Sequence, residues 1–248
     1  MRQLAHEYPE RHWRHIEEEI PRHTAHLELV MKRHKPGTPV LDLGGGTGLF
    51  ALAAAAHGYP ATVVDDFKDS GTAEDPNDLP AMDPHRKYGV RIVARDFITD
   101  GLDFEPEEFG AITAFETMEH WHHSPKRLFR DAMRTLRPGG SLIIGVPNAV
   151  NLRKRITVPL GRGKWSSMED WYETDHFRGH VREPDLDDLR YIAAALRLAD
   201  VKTFGYNWQG YRSPRPWVRR LCRFVDKPLR VFPTLCADIY VVGAKPDV

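Results

Sequence analysis

Residues 39–48 read PVLDLGGGTG, and residues 49–58 continue as LFALAAAAHG. A short apolar run that ends in consecutive glycines and gives way to an alanine-rich stretch predicts a strand, a sharp turn and a helix. Working outward, ATVVDD at 61–66, VRIVARDF at 90–97, FGAITAFE at 109–116 and SLIIGVPN at 141–148 repeat the apolar run. The helix before the last of these, within 124–140, is closed by Pro138, Gly139 and Gly140. Near-continuous apolar strands alternating with helices predict a parallel sheet covered on both faces. DVKTFGYNW at 200–208 and ADIYVVGAKP at 237–246 add two strands, the last expected antiparallel at the sheet's edge. The expected class is α/β, doubly wound and mostly parallel, with seven strands.

The rest of the chain is cover and insertion. Trp13, Ile16, Ile20, Leu27 and Val30 recur at near-helical spacing over residues 1–37, and Pro21 predicts a break into two short helices. His6, His12, His15, His23, His26 and His34 belong to this helical cover and are read as surface residues. Residues 38–150 form the core. The turn-rich stretch 68–88 is a loop, and residues 151–183 and 209–236 are insertions that build a cap. With 248 residues, 41% of them hydrophobic, the chain suits a single domain. Formal charge is zero, so no overall electrostatic pull toward nucleic acid or anionic membrane is expected. No apolar run approaches the ~20 residues of a membrane span. The charged N-terminus lacks a signal-peptide core, and Cys222 and Cys236 show no disulfide or metal spacing. The expected setting is reducing and cytoplasmic.

Ligands of an open parallel sheet bind at the carboxyl ends of its strands. Gly44, Gly45, Gly46 and Gly48 allow a backbone to approach a ligand closely there. Asp65, roughly 20 residues on, is placed to accept the two hydroxyls of a ribose. Asp96 can take a bond from an adenine amino group, with Phe97 against the ring. A dinucleotide fingerprint fails, because the sixth position counted from Gly44 is Leu49.

VLDLGGGTG resembles the first motif of class I S-adenosylmethionine-dependent methyltransferases, and LRPGGSLIIGVPN at 136–148 resembles that family's approach to its fifth strand. The resemblance covers about residues 38–148. It implies a Rossmann-like methyltransferase sheet and S-adenosylmethionine as cofactor, with Asp42, Gly44 and Gly46 lining the cofactor site and Glu116 facing its reactive end.

Strand four ends in FETMEHWHH, 115–123. Glu119 and His120 follow Glu116 by three and four residues, so one helical turn would let all three converge. Two ionised carboxylates in a cleft are costly unless a cation lies between them. E-x-x-E-H is similar to the motif of ubiquinone-pathway O-methyltransferases and small-RNA 2′-O-methyltransferases, which implies a divalent metal, magnesium or manganese. The ligand set so implied is Glu116, Glu119, His120 and His180, the last from HFRGHVREPDLDDL at 176–189. His176 is an alternative ligand or the general base, and His120 and His123 are further candidates for proton transfer. His122 and His123 are adjacent and cannot both face the site.

A hydroxyl is a poor nucleophile at neutral pH, and a bound divalent ion would activate it. Trp165, Trp171, Tyr172, Trp208, Tyr211 and Trp217 in the insertions suit the apolar face of a sugar ring. The expected reaction is methyl transfer to a carbohydrate hydroxyl. Methylation of a phenol or catechol in quinone or natural-product biosynthesis is the alternative, and RNA 2′-O-methylation a third reading. The basic stretch 209–236, with a single acid at Asp226, is a solvated face, a contact of a homodimer with acids such as Glu17–Glu19, or a surface for RNA, anionic lipid or a phosphorylated acceptor.

Overall fold

A computed structural model describes residues 1–68, 80–163, 168–173, 177, 179–211 and 215–247. The elements in chain order are α1 (Arg2–Ala5), α2 (Glu10–Met31), β1 (Val40–Leu43), α3 (Leu49–Ala56), β2 (Ala61–Asp65), α4 (Asp83–Lys87), β3 (Arg91–Ala94), β4 (Phe109–Phe115) and α5 (Lys126–Thr135). They continue as β5 (Leu136–Pro147), α6 (Leu152–Thr157), α7 (Met168–Tyr172), α8 (Leu186–Ala195), β6 (Ala199–Tyr206), α9 (Trp208–Tyr211), α10 (Pro216–Leu229) and β7 (Asp238–Ala244). The seven strands form one sheet in the order β3-β2-β1-β4-β5-β7-β6. β1 pairs in parallel with β2 and with β4, and β2 with β3. The chain therefore steps outward in one direction from β1 and in the other from β4, which makes the carboxyl ends of these two strands the switch point.

The final strand corrects one expectation. Gly139 and Gly140 exchange backbone bonds with Lys245, while Asn148 donates to Ala237, so β7 runs antiparallel to β5. It lies between β5 and β6, and β6 is the edge strand. Helix α5 ends at Thr135, before Pro138–Gly140 as expected, but those residues are already strand: β5 starts at Leu136, and Lys245 supplies the backbone partners of Gly139 and Gly140.

Internal packing divides the chain into two compact units, Met1–Phe115 with Pro125–Ile143 and Ala244–Val248, and Glu116–Ser124 with Ile144–Gly243. The first unit holds the apolar centre of the sheet, where β1 is buried throughout and α3 buries Leu49–Ala54. Helix α2 runs unbroken through Pro21. Its buried Ile16, Leu27, Leu29 and Val30 pack the helix on both sides of Pro21 into the core, and this tertiary packing outweighs the single backbone bond that proline removes. His6 and His15 are exposed as expected, but His26 is buried and stacks on Phe115 at the end of β4, ring centroids 3.8 Å apart.

Candidate active site

In the first unit the turn after β1 is built around a carboxylate. Asp42 pairs across the sheet with Thr113, whose hydroxyl donates to Asp42 Oδ1 at 2.8 Å. Asp42 is 4% exposed, and burial pushes its carboxyl up to about 7. Gly44 and Gly46 take φ of +69° and +49°, the left-handed region that glycine enters freely. Gly45 carries a different constraint: a Cβ there would stand 2.1 Å from Asp42 Oδ2. Asp65 ends β2, and its two carboxylate oxygens accept the N–H groups of Gly46 (3.0 Å) and Phe67 (2.7 Å). The carboxylate that reads a ribose in the sequence argument is thus fastened to the glycine turn. Asp96, past β3, accepts from the N–H groups of Ile98 and Thr99, and Phe97 is buried. Among the described residues, His85 is a part of this neighbourhood that the sequence did not single out; its Nε2 donates to Gly48 O at 3.0 Å.

In the second unit Glu116 adopts a φ of +53° and donates its N–H to Gly145 O. The chain then turns through Met118–His120, a short 3-10 segment rather than the first turn of an α-helix. Glu119 Oε1 lies 3.9 Å from His120 Nε2 and 3.9 Å from His180 Nε2, and Glu119 is 1% exposed. The two rings meet edge to face with centroids 4.9 Å apart. Backbone bonds bring the distant histidine here: Glu119 O accepts from Val181 (2.8 Å) and Arg182 (3.2 Å). Glu119, His120 and His180 offer ligand atoms all within 4.8 Å of one another. Of the four ligands expected from the sequence, Glu116 is not part of this group. Spacings of 3.9 Å are too long for hydrogen bonds, and a small side-chain rotation would bring these atoms to the ~3.0–3.5 Å that separates ligands sharing one ion at ~2.0–2.2 Å each. A buried carboxylate between two imidazoles therefore fits a divalent metal.

Behind His180 stands a second pair. His180 Nδ1 donates to Glu183 Oε1 at 2.8 Å, and the other oxygen of Glu183 accepts from the ammonium of Lys154, a buried residue of α6. Burial alone would push the Glu183 carboxyl up, but the bonds from His180 and Lys154 outweigh it and hold the group below the usual carboxylate range. The signal for Glu183 was present in the sequence as a carboxylate three residues after a candidate ligand. Nothing in the sequence announced Lys154.

Other expectations fare differently. His122 and His123 are both exposed, so His123 belongs to the surface. His176 and Trp165 lie outside the described residues. The cap's aromatic residues do not act as one set: Trp208 is buried, with its Nε1 donating to Tyr240 OH, and the Tyr211 hydroxyl donates to Asp226 at 2.6 Å. Trp171, Tyr172 and Trp217 are exposed.

A methyltransferase-domain family model matches residues 12–202. This chain belongs to the S-adenosylmethionine-dependent methyltransferases. Among its relatives as a methyltransferase is the ubiquinone biosynthesis O-methyltransferase of Pseudomonas putida (strain W619), 32% identical over 173 residues that make up 69% of each chain. The protein of that name from Idiomarina loihiensis is 30% identical over 112 residues, 45% of this chain and 43% of its own. A solved S-adenosylmethionine-dependent methyltransferase from Archaeoglobus fulgidus shares the fold with a TM-score of 0.56 at 17% identity, covering 89% of this methyltransferase and 92% of the other chain. Phosphoethanolamine N-methyltransferase 2 of Haemonchus contortus, solved with S-adenosyl-L-methionine, shares it with a TM-score of 0.55 at 18% identity over 90% of this chain and 53% of its own.

Proposed function

We propose that this methyltransferase moves the methyl group of S-adenosylmethionine to a hydroxyl oxygen of a phenol or catechol, with a divalent metal held by Glu119, His120 and His180. The observation that carries the reading is the buried carboxylate 3.9 Å from two imidazole nitrogens. Such a donor set suits an oxygen acceptor better than an amine, and the ubiquinone-pathway names of the relatives point to aromatic hydroxyls. The sugar expected from the cap loses support, because Trp208 and Tyr211 are engaged within the fold.

Asp42, Gly44, Gly46, Asp65, Asp96 and Phe97 hold the cofactor, with Asp65 on the ribose hydroxyls. When bound, a divalent ion lowers the pKa of the acceptor hydroxyl and fixes its oxygen. The acceptor oxygen forms the new bond to the methyl carbon as the bond to sulfur breaks, and S-adenosylhomocysteine leaves with the electron pair. The hydroxyl proton passes to a histidine, for which the sequence offers His176.

Titration calorimetry of S-adenosylhomocysteine-loaded protein with manganese and magnesium tests the metal, and methylation assays on catechols beside glycosides test the acceptor. Stoichiometric binding that disappears in Glu119→Ala is expected, as is turnover of catechols alone. Equal metal binding by the variant, or turnover of glycosides only, would overturn the respective half of the reading.

A further inference from the structure

Helix α10 carries three stripes where a surface helix needs two. Its inward side is Val218, Cys222, Val225, Asp226 and Leu229, all at least partly buried. Asp226, the one acid between residues 215 and 232, is closed in by Asn207, Tyr211 and Arg230, and the Arg230 guanidinium in turn covers the Tyr206 ring at 4.3 Å. A second stripe is apolar and faces water. Trp217, Leu221 and Phe224 follow one another at four- and three-residue spacing and are 64%, 51% and 81% exposed. Val231 and Phe232, just past the helix, extend it and are also exposed. The third stripe is Arg220, Arg223 and Lys227, exposed side chains one turn from the apolar residues. Single exposed apolar residues need no explanation, but five large ones in sequence beside a row of cations do.

We propose that this face of α10 docks on an anionic lipid surface. The helix would lie in the interface with Trp217, Leu221 and Phe224 among the acyl chains and the basic stripe at the headgroups. Long basic side chains bury their stems and keep their charges at the boundary, which suits their place beside the apolar row. Charge selects this occupant. Residues 215–232 hold six cations against the single enclosed acid, although the whole chain balances to zero. A second copy meeting this face symmetrically would bring the same cations together, whereas phosphatidylglycerol headgroups would neutralise them. No helix among the described residues is long and apolar enough to cross a membrane, so the contact is with the surface.

The test is co-sedimentation of the full chain with vesicles of phosphatidylcholine alone and of phosphatidylcholine mixed with phosphatidylglycerol. Binding is expected to the mixed vesicles and to weaken as salt is raised. Arg220→Ser, Arg223→Ser and Lys227→Ser together should lower the partition about a hundredfold, at ~1 kcal/mol for each cation near an anionic surface. Trp217→Ser with Phe224→Ser should lower it at least tenfold, with melting temperature and S-adenosylhomocysteine affinity unchanged. The proposal is overturned if the wild-type chain stays in the supernatant, or if both variants sediment as the wild type does. It is equally overturned if the apolar variant only converts a dimer into a monomer, which would make this face an interface between copies.

Discussion

Because Glu183 accepts a bond at His180 Nδ1, that nitrogen carries a proton, which leaves Nε2, on the side of Glu119, as the nitrogen that would ligate a metal. A ligating imidazole oriented by a carboxylate is a recurrent arrangement, and its loss costs ~10–100-fold in metal affinity. Glu183→Ala is expected to weaken manganese binding by that factor and also to strand the buried Lys154 ammonium, at ~3–5 kcal/mol of stability. Adding Lys154→Met removes the stranded charge, so the double variant should recover most of the lost stability and none of the lost affinity. Calorimetric titration beside thermal unfolding separates the two effects. Full recovery of metal binding in the double variant would show that Glu183 does no more than pair Lys154. At this scale the sequence was informative where chemistry is local. E-x-x-E-H and the later histidine could be read as a group, and the structure brings Glu119, His120 and His180 together. Glu116 could not be judged from the motif: the helical turn that would bring it to the group is replaced by a left-handed residue followed by a 3-10 segment, which side-chain type does not record.

Elements begin and end where side chains or distant strands complete their backbone bonds. Helix α8 starts in a reciprocal cap: Asp185 Oδ1 accepts from the N–H groups of Asp187 and Asp188, and Asp188 Oδ2 accepts from Asp185. Asp185→Ala should cost ~1 kcal/mol, which in a chain of this size lowers the melting temperature by ~2–4 °C. Hydrogen exchange should quicken in the first turn of α8 and nowhere else. Where the determinant was distant, sequence reading of elements failed. Pro21 predicted a break that packing of α2 overrides. Although α5 does end before Pro138–Gly140, the start of β5 at Leu136 was missed because Lys245, more than a hundred positions later, supplies the strand partners of Gly139 and Gly140.

Across the molecule, acid is the condition that should unfold it. Burial holds His23 down to about 3, His85 to about 4 and His26 well below the ordinary imidazole value. In the unfolded chain these rings titrate near ~6.5. Each is neutral in the folded state, so its contribution is complete above that value and is lost as pH falls toward the folded ones. The slope is ~1.4 kcal/mol per pH unit for each ring. Asp42 acts in the opposite sense: its folded value of about 7 lies above 3.8, so it costs stability as pH rises between the two. Three histidines outweigh one carboxyl, and urea midpoints should climb from pH 5 to pH 7, less steeply in His26→Leu. A midpoint independent of pH would contradict this account. The sheet itself was legible because its central strands are apolar and buried; the outer β3 and β6 are largely exposed and were legible instead in β-branched and aromatic residues between turn signals. The order of its last two strands was not, since nothing local records that β7 enters between β5 and β6. That insertion has a consequence for the growing polypeptide. Among the described residues β6 pairs in the sheet with β7 alone, so when it leaves the ribosome its backbone donors and acceptors have only water as partner until β7 is also made. Through that interval β6 is a loose strand, and synthesis that stalls between the two would leave a template for pairing with other nascent chains.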